Sequence, residues 1–166
     1  VLSDERNRSR NTMYGRLVRK NVDDRPQDPK ALLEMGYILI QEGKGREAIP
    51  VLEKAAEVGA QGPVLCRVSS MLATLYHADG QPQRAIETLH RCVNENPHWL
   101  FGWRDLITML MDGGHWEQAT LGLQAAKESV EESIVLLKLE CQLLVKTRKI
   151  VEAIPVARKL ARDYPG

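Results

Sequence analysis

Apolar residues recur along the chain at helical spacing, in blocks separated by short polar turns. Ala48, Ala85, Ala119 and Ala153 each follow a turn and open an amphipathic segment: Arg46-Glu47-Ala48-Ile49, Gln83-Arg84-Ala85-Ile86, Glu117-Gln118-Ala119-Thr120 and Val151-Glu152-Ala153-Ile154. Their separations are 37, 34 and 34 residues. Self-similarity at such a period is the mark of stacked supersecondary units, each unable to bury its apolar face alone.

Upstream of each alanine lies a second apolar block. The four blocks carry Leu32, Met35, Gly36 and Leu39; Ser69, Leu72, Ala73 and Tyr76; Trp103, Leu106, Ile107 and Leu110; and Leu137, Glu140, Cys141 and Leu144. Gly43, Gly80 and Gly114 end the first three blocks with a residue suited to a left-handed backbone, and Arg148 stands in that slot in the fourth. Pro97 and Pro165 stop second helices, since proline lacks the N–H and clashes with the preceding turn. Each repeat therefore reads as helix, turn, helix. Small residues at Gly36, Ala73 and the four alanines let paired helices approach closely, and the larger apolar residues fill the space between pairs.

These positions resemble the tetratricopeptide repeat (TPR) pattern of Trp, Leu, Gly and Tyr followed by Ala, Phe and Pro. The match is good in the first three repeats and looser in the fourth, where Glu140 occupies an apolar slot. The resemblance implies an all-α chain of four TPR-like hairpins, at about residues 29–62, 66–99, 100–133 and 134–166, in a right-handed superhelix. Residues 1–28 read as an extra N-terminal helix and linker, with Met13, Tyr14, Leu17, Val18 and Val22 docking on the first repeat before Pro26 and Pro29 close it. The three residues added between repeats one and two fall in the Gly/Pro-rich stretch 58–63, which lengthens the loop without entering either helix. Ile150, Val151, Ile154, Val156 and Leu160 make the last helix apolar on more than one side. Terminal repeats need a polar outer face, so that helix is expected to meet further sequence, another chain or a second copy in a homo-oligomer.

Composition narrows the function. The 23 basic and 22 acidic side chains nearly cancel, so no global field marks a nucleic-acid binder, and any electrostatic selectivity is local. At 43% apolar and 27% charged residues the chain reads as ordinary globular material. No apolar run approaches the roughly 20 residues of a membrane span, so no membrane association is expected. Cys66, Cys92 and Cys141 form no C-x-x-C pair and suit reduced thiols in the cytoplasm.

Little in the sequence suggests catalysis. Gly43-Lys44-Gly45-Arg46-Glu47-Ala48 fits G-x-G-x-x-A, but that dinucleotide fingerprint has meaning only after a strand. Here it follows a helix and reads as a hairpin turn. His77, His90, His98 and His115 show no zinc-ligand spacing, and no nucleophile, base or oxyanion hole can be nominated. Neither a cofactor nor a metal is expected.

The TPR resemblance implies instead a groove lined by first helices. Its facing positions are Lys30, Leu33, Tyr37 and Gln41 in repeat one, and Arg67, Ser70, Thr74 and His77 in repeat two. Phe101, Arg104, Thr108 and Met111 follow in repeat three, and Val135, Lys138, Gln142 and Lys146 in repeat four. Acidic residues are nearly absent from this set, so the groove is expected to be basic with apolar anchors, suited to an extended, acidic protein segment or loop carrying carboxylates. Trp99 and Phe101 lie outside the core slots and are candidate anchors, whereas Trp103 takes the core position. The Lys and Asn clamp of chaperone-binding TPRs is missing, since Leu33, Tyr37, Met71, Phe101 and Asp105 stand at its slots. Arg10-Asn11, Leu17 and Pro26-Gln27-Asp28-Pro29 also resemble the junction that follows the catalytic domain of some bacterial family-2 glycosyltransferases. That resemblance implies acceptor recognition or assembly within a larger enzyme as the alternative to a scaffold or adaptor.

One consequence concerns packing. If Ala119 marks a close helix contact, Ala119→Leu overpacks it and lowers stability by about 1–3 kcal/mol. An unchanged melting temperature would contradict the register.

Overall fold

The computed structural model describes the backbone of residues 2–165 and the side chains of residues 13–165. The described residues form nine helices and no strand. They fall into two compact units, residues 1–80 and 81–166. The first holds α1 (Leu2–Asp24), α2 (Pro29–Gln41), α3 (Gly45–Glu57) and α4 (Gly62–Ala78). The second holds α5 (Pro82–Glu95), α6 (Leu100–Asp112), α7 (Trp116–Ser129), α8 (Ile134–Lys146) and α9 (Ile150–Asp163).

In the first unit α2 packs against α3 and α3 against α4, while α2 also touches α4 directly. The α2–α3 contact is close because Gly36 has no side chain: a Cβ there would lie 2.4 Å from Leu52 Cδ2 and 2.6 Å from Cγ. Leu52 fills that space and is fully buried, as are Ala48 and Ala55 on the same stripe. Burying one such leucine contributes about 1.5–3 kcal/mol. Asp28 caps α2, its carboxylate accepting from the Lys30 amide at 2.9 Å, and Pro29 supplies the first helical residue with its φ already set. Tyr76 of α4 donates its hydroxyl to Glu53 of α3 at 2.5 Å, which satisfies a buried phenol. Ser69 of α4 is also fully buried, and its hydroxyl has no hydrogen-bond partner among the described residues.

The second unit repeats this logic. Sequential helices from α5 to α9 pack on one another, and α6 also meets α8. Leu106, Ile107 and Leu110 of α6 are fully buried, together with Ala119 and Ala126 of α7. Trp103 is 7% exposed and donates its indole N–H to the Pro97 carbonyl at 2.7 Å. His98 Nδ1 lies 2.7 Å from the Ser129 carbonyl, tying the α5–α6 connection to the end of α7. The unfavourable Glu140 at an apolar slot is resolved by Lys127 of α7, whose ammonium sits 2.5 Å from its carboxylate.

Two sequence expectations are corrected here. Met13, Tyr14 and Leu17 do not dock; they are 66%, 44% and 56% exposed. α1 meets α2 through Gly15, which lies beside Ile38, and the buried Val18. Arg19 also pairs with Glu42 beyond the end of α2. This bond and that from Lys44 hold the Glu42 carboxyl below its ordinary value. The folded pKa is lowered, so the contribution is present above the usual carboxylate range and lost as pH falls through the lowered value. Second, the stretch 58–63 does not stay outside the helices, because Gly62 and Pro63 form the first turn of α4. Proline is tolerated there because that N–H has no intrahelical partner. At the other end, Ala157 is exposed and Leu160 half-exposed, although the matching Leu52 and Ala55 of α3 are fully buried. α4 covers α3, whereas among the described residues no helix follows α9.

The turns share one geometry. Gly43, Gly80 and Gly114 have φ of 76°, 76° and 74°, and Arg148 has 61°. Around three of them the following amide returns to the last turn of the helix at 2.8 Å: Lys44 to Leu39, His115 to Leu110 and Lys149 to Leu144. This is the Schellman closure, which asks for a left-handed residue. Arg148 is thus a non-glycine residue in a strained conformation, costing about 1–2 kcal/mol. Arg148→Gly relieves the strain, partly offset by chain entropy, so stability should rise by about 0.5–1 kcal/mol, with the melting temperature up by a few degrees.

Candidate functional site

The first helices of each unit lie side by side, α2 with α4 and α6 with α8. In the first unit Lys30, Arg67, Thr74 and His77 are exposed, as is Tyr37 at 45%. The Thr74 hydroxyl is directed back to the Ser70 carbonyl at 2.9 Å, so part of its hydrogen-bonding capacity is used within the helix. Leu33 does not belong to this face. It is only 4% exposed and belongs to the core with Ala31, on a helix that packs against α1, α3 and α4.

In the second unit Phe101 and Arg104 stand out from α6, and Lys138, Gln142 and Lys146 from α8, with Met111 half-buried. Phe101 is 48% exposed and carries the Arg104 guanidinium 5.0 Å from its ring centre. Arg104 is held from below by Asp105, with its Nε 2.7 Å and Nη2 2.6 Å from Oδ1. A cation over an aromatic face is attracted by the ring quadrupole, so the aromatic, the cation and the carboxylate form one preorganised group. Sequence reading placed Asp105 at a clamp slot but left it out of the groove set, and it lowers the net charge of this face. The relevant signal was its adjacency to Arg104.

Two further differences affect the anchors. Trp99 is not a projecting side chain: it lies over Gly102, where a Cβ would come within 2.7 Å of its ring. Val145, by contrast, is 50% exposed on α8 at the position equivalent to Met111 and was missed. Its placement one residue before Lys146 was the available clue.

An open cleft of about 480 Å³ lies elsewhere in the first unit, between the α2–α3 turn and the end of α4. Gly43 to Glu47, Ile49, Leu75, Ala78 and Asp79 line it. Arg46 donates to Asp79 at 3.0 Å, and none of the predicted groove residues takes part. The G-x-G-x-x-A sequence thus forms a hairpin turn beside this cleft. The four histidines are all exposed, and among the described residues no cluster of His, Cys, Asp or Glu is placed to hold a metal ion. Among those residues no helix is long and apolar enough to cross a membrane.

Comparison with known proteins agrees with the helical fold. Residues 70–98 match the tetratricopeptide repeat profile. PilF of Pseudomonas aeruginosa superposes with a TM-score of 0.69 at 18% identity, over 90% of this chain and 67% of its own. MamA (residues 41 to the end) of Desulfovibrio magneticus RS-1 gives 0.75 at 18%, over 96% and 90%. YrrB, described as a TPR protein with an unusual peptide-binding site, gives 0.73 at 17%, over 95% and 79%. No curated protein matches the sequence. Residues 70–98 are therefore a tetratricopeptide repeat by sequence, and the chain has the all-α fold of TPR proteins.

The two kinds of aromatic should separate in stability measurements. Trp103→Ala removes a buried ring and should cost about 3–5 kcal/mol, whereas Phe101→Ala should stay within about 0.5 kcal/mol of wild type in chemical denaturation.

Proposed function

We propose that the chain is a protein-interaction module, a scaffold or adaptor, holding an extended partner segment on its first-helix faces. The observation that carries this reading is Phe101. It is a large aromatic, 48% exposed on a helix whose opposite side is fully buried, and it is held in place by Arg104. Exposed aromatics with nearby arginine are typical of interface hot spots. Tyr37 and Val145 are further exposed apolar contacts, with Lys30, Arg67, Lys138 and Lys146 as cations around them. Such a face suits a partner that combines carboxylates with apolar side chains. The peptide-binding description of YrrB, a structural neighbour, supports the same direction. Catalysis has no place in this reading, and the reduced state of Cys66, Cys92 and Cys141 suits a cytoplasmic setting.

Two secondary readings each rest on one observation. Ile150, Val151 and Ile154 of α9 are 52%, 83% and 46% exposed, which favours self-association through that helix; light scattering of the purified chain tests it. The short Arg10-Asn11 to Pro29 sequence favours an acceptor-recognition or assembly part of a larger bacterial glycosyltransferase. A D-x-D motif on an α/β pattern upstream tests that alternative.

For the main reading, peptides selected by display on the whole chain provide the probe. Joint reversal Arg104→Glu and Lys138→Glu should weaken their binding by on the order of 1–3 kcal/mol per site, with little change in melting temperature. Retention of full affinity would move the site away from α6 and α8.

A further inference from the structure

We infer that α8 acts as a spacing gauge for the partner, selecting segments whose carboxylates stand four residues apart. This rests on the reading of the first-helix faces as the binding surface and adds to it which sequences they accept. The exposed face of α8 carries Lys138, Gln142 and Lys146 at four-residue intervals, while Leu136, Leu137, Leu139 and Leu143 point into the core. The helix is thereby fixed by its buried side and presents a cation, an amide and a second cation in order.

These two lysines differ from the paired cations of this unit. Arg104 is engaged by Asp105, Lys127 by Glu140 and Lys159 by Glu132. Lys138 and Lys146 join no ion pair among the described residues. Asp105, Glu140 and Glu132 are taken by those other cations, and an incoming acidic group meets unpaired ammonium groups at Lys138 and Lys146.

The geometry sets the register. Four residues of α-helix advance about 6 Å, and two residues of extended chain advance about 6.6 Å. A segment lying extended along α8 therefore places residues i, i+2 and i+4 over Lys138, Gln142 and Lys146 in turn. Carboxylates at i and i+4 meet the two ammonium groups. At i+2 the carboxamide of Gln142 can donate to and accept from the peptide backbone at once, which calls for a small residue there. Val145 beside Lys146 supplies an apolar contact for a neighbouring side chain. The preferred partner is an acid-x-small-x-acid segment in extended form.

The test uses the full 166-residue chain and labelled synthetic peptides of identical composition, with two glutamates spaced three, four or six residues apart around a central alanine, read by fluorescence anisotropy. Spacing four should bind at least tenfold more tightly than the others. Lys138→Gln and Lys146→Gln should each reduce that affinity about fivefold and abolish the preference, without shifting the melting temperature. Gln142→Leu should weaken all spacings of peptide while leaving the salt dependence intact. Equal binding of all spacings, with loss in the lysine variants, would overturn the gauge and leave the acidic-partner reading standing. Failure of every peptide to bind would overturn both.

Discussion

The fold depends on the close approach of paired helices within each unit, as between α2 and α3. At Gly36 a single added carbon would strike Leu52 at 2.4 Å. Ala48 of α3 and Ala119 of α7, both fully buried, are the small residues on the second helices of the α2–α3 and α6–α7 hairpins. Close packing leaves no room to compensate, since interiors are filled to crystal-like density. Once these contacts are set, each helix can present only one remaining direction to solvent, and the first-helix faces follow from that.

The exceptions to the repeat are each paired with a local remedy. Glu140 in an apolar slot is matched by Lys127 at 2.5 Å, and Arg148 adopts the left-handed backbone that glycine supplies in the other turns. Ser69 stands apart from these, its hydroxyl buried with no partner among the described residues. It stands where Trp103 stands in the next repeat, so a smaller residue is accepted at that point of the core. The fourth repeat is the loosest by sequence, and it also has the greatest exposure: Ala157 lies open where Leu52 is sealed.

The partner-facing surface is a product of the same pairing. Arg104 is drawn to Asp105 and Phe101, whereas Lys138 and Lys146 face outward. The apparent row of cations thus divides into a preorganised aromatic group and two unpaired lysines, which have different capacities to meet a carboxylate.

Helix periodicity, the small residues and the turn slots were legible in the sequence because each is a local demand, met by residue type within a few positions: Ala119 in its stripe, Gly114 in its turn, Trp103 in its core slot. Tertiary structure decided what depends on a neighbour. Leu33 went to the core, on a helix that packs against α1, α3 and α4, and Met13, Tyr14 and Leu17 went to solvent because α1 approaches through Gly15 instead. Trp99 folded onto Gly102, and Arg104 found a carboxylate beside it. Helical spacing says which residues share a face; which face is covered, and by which helix, is set only when the helices meet.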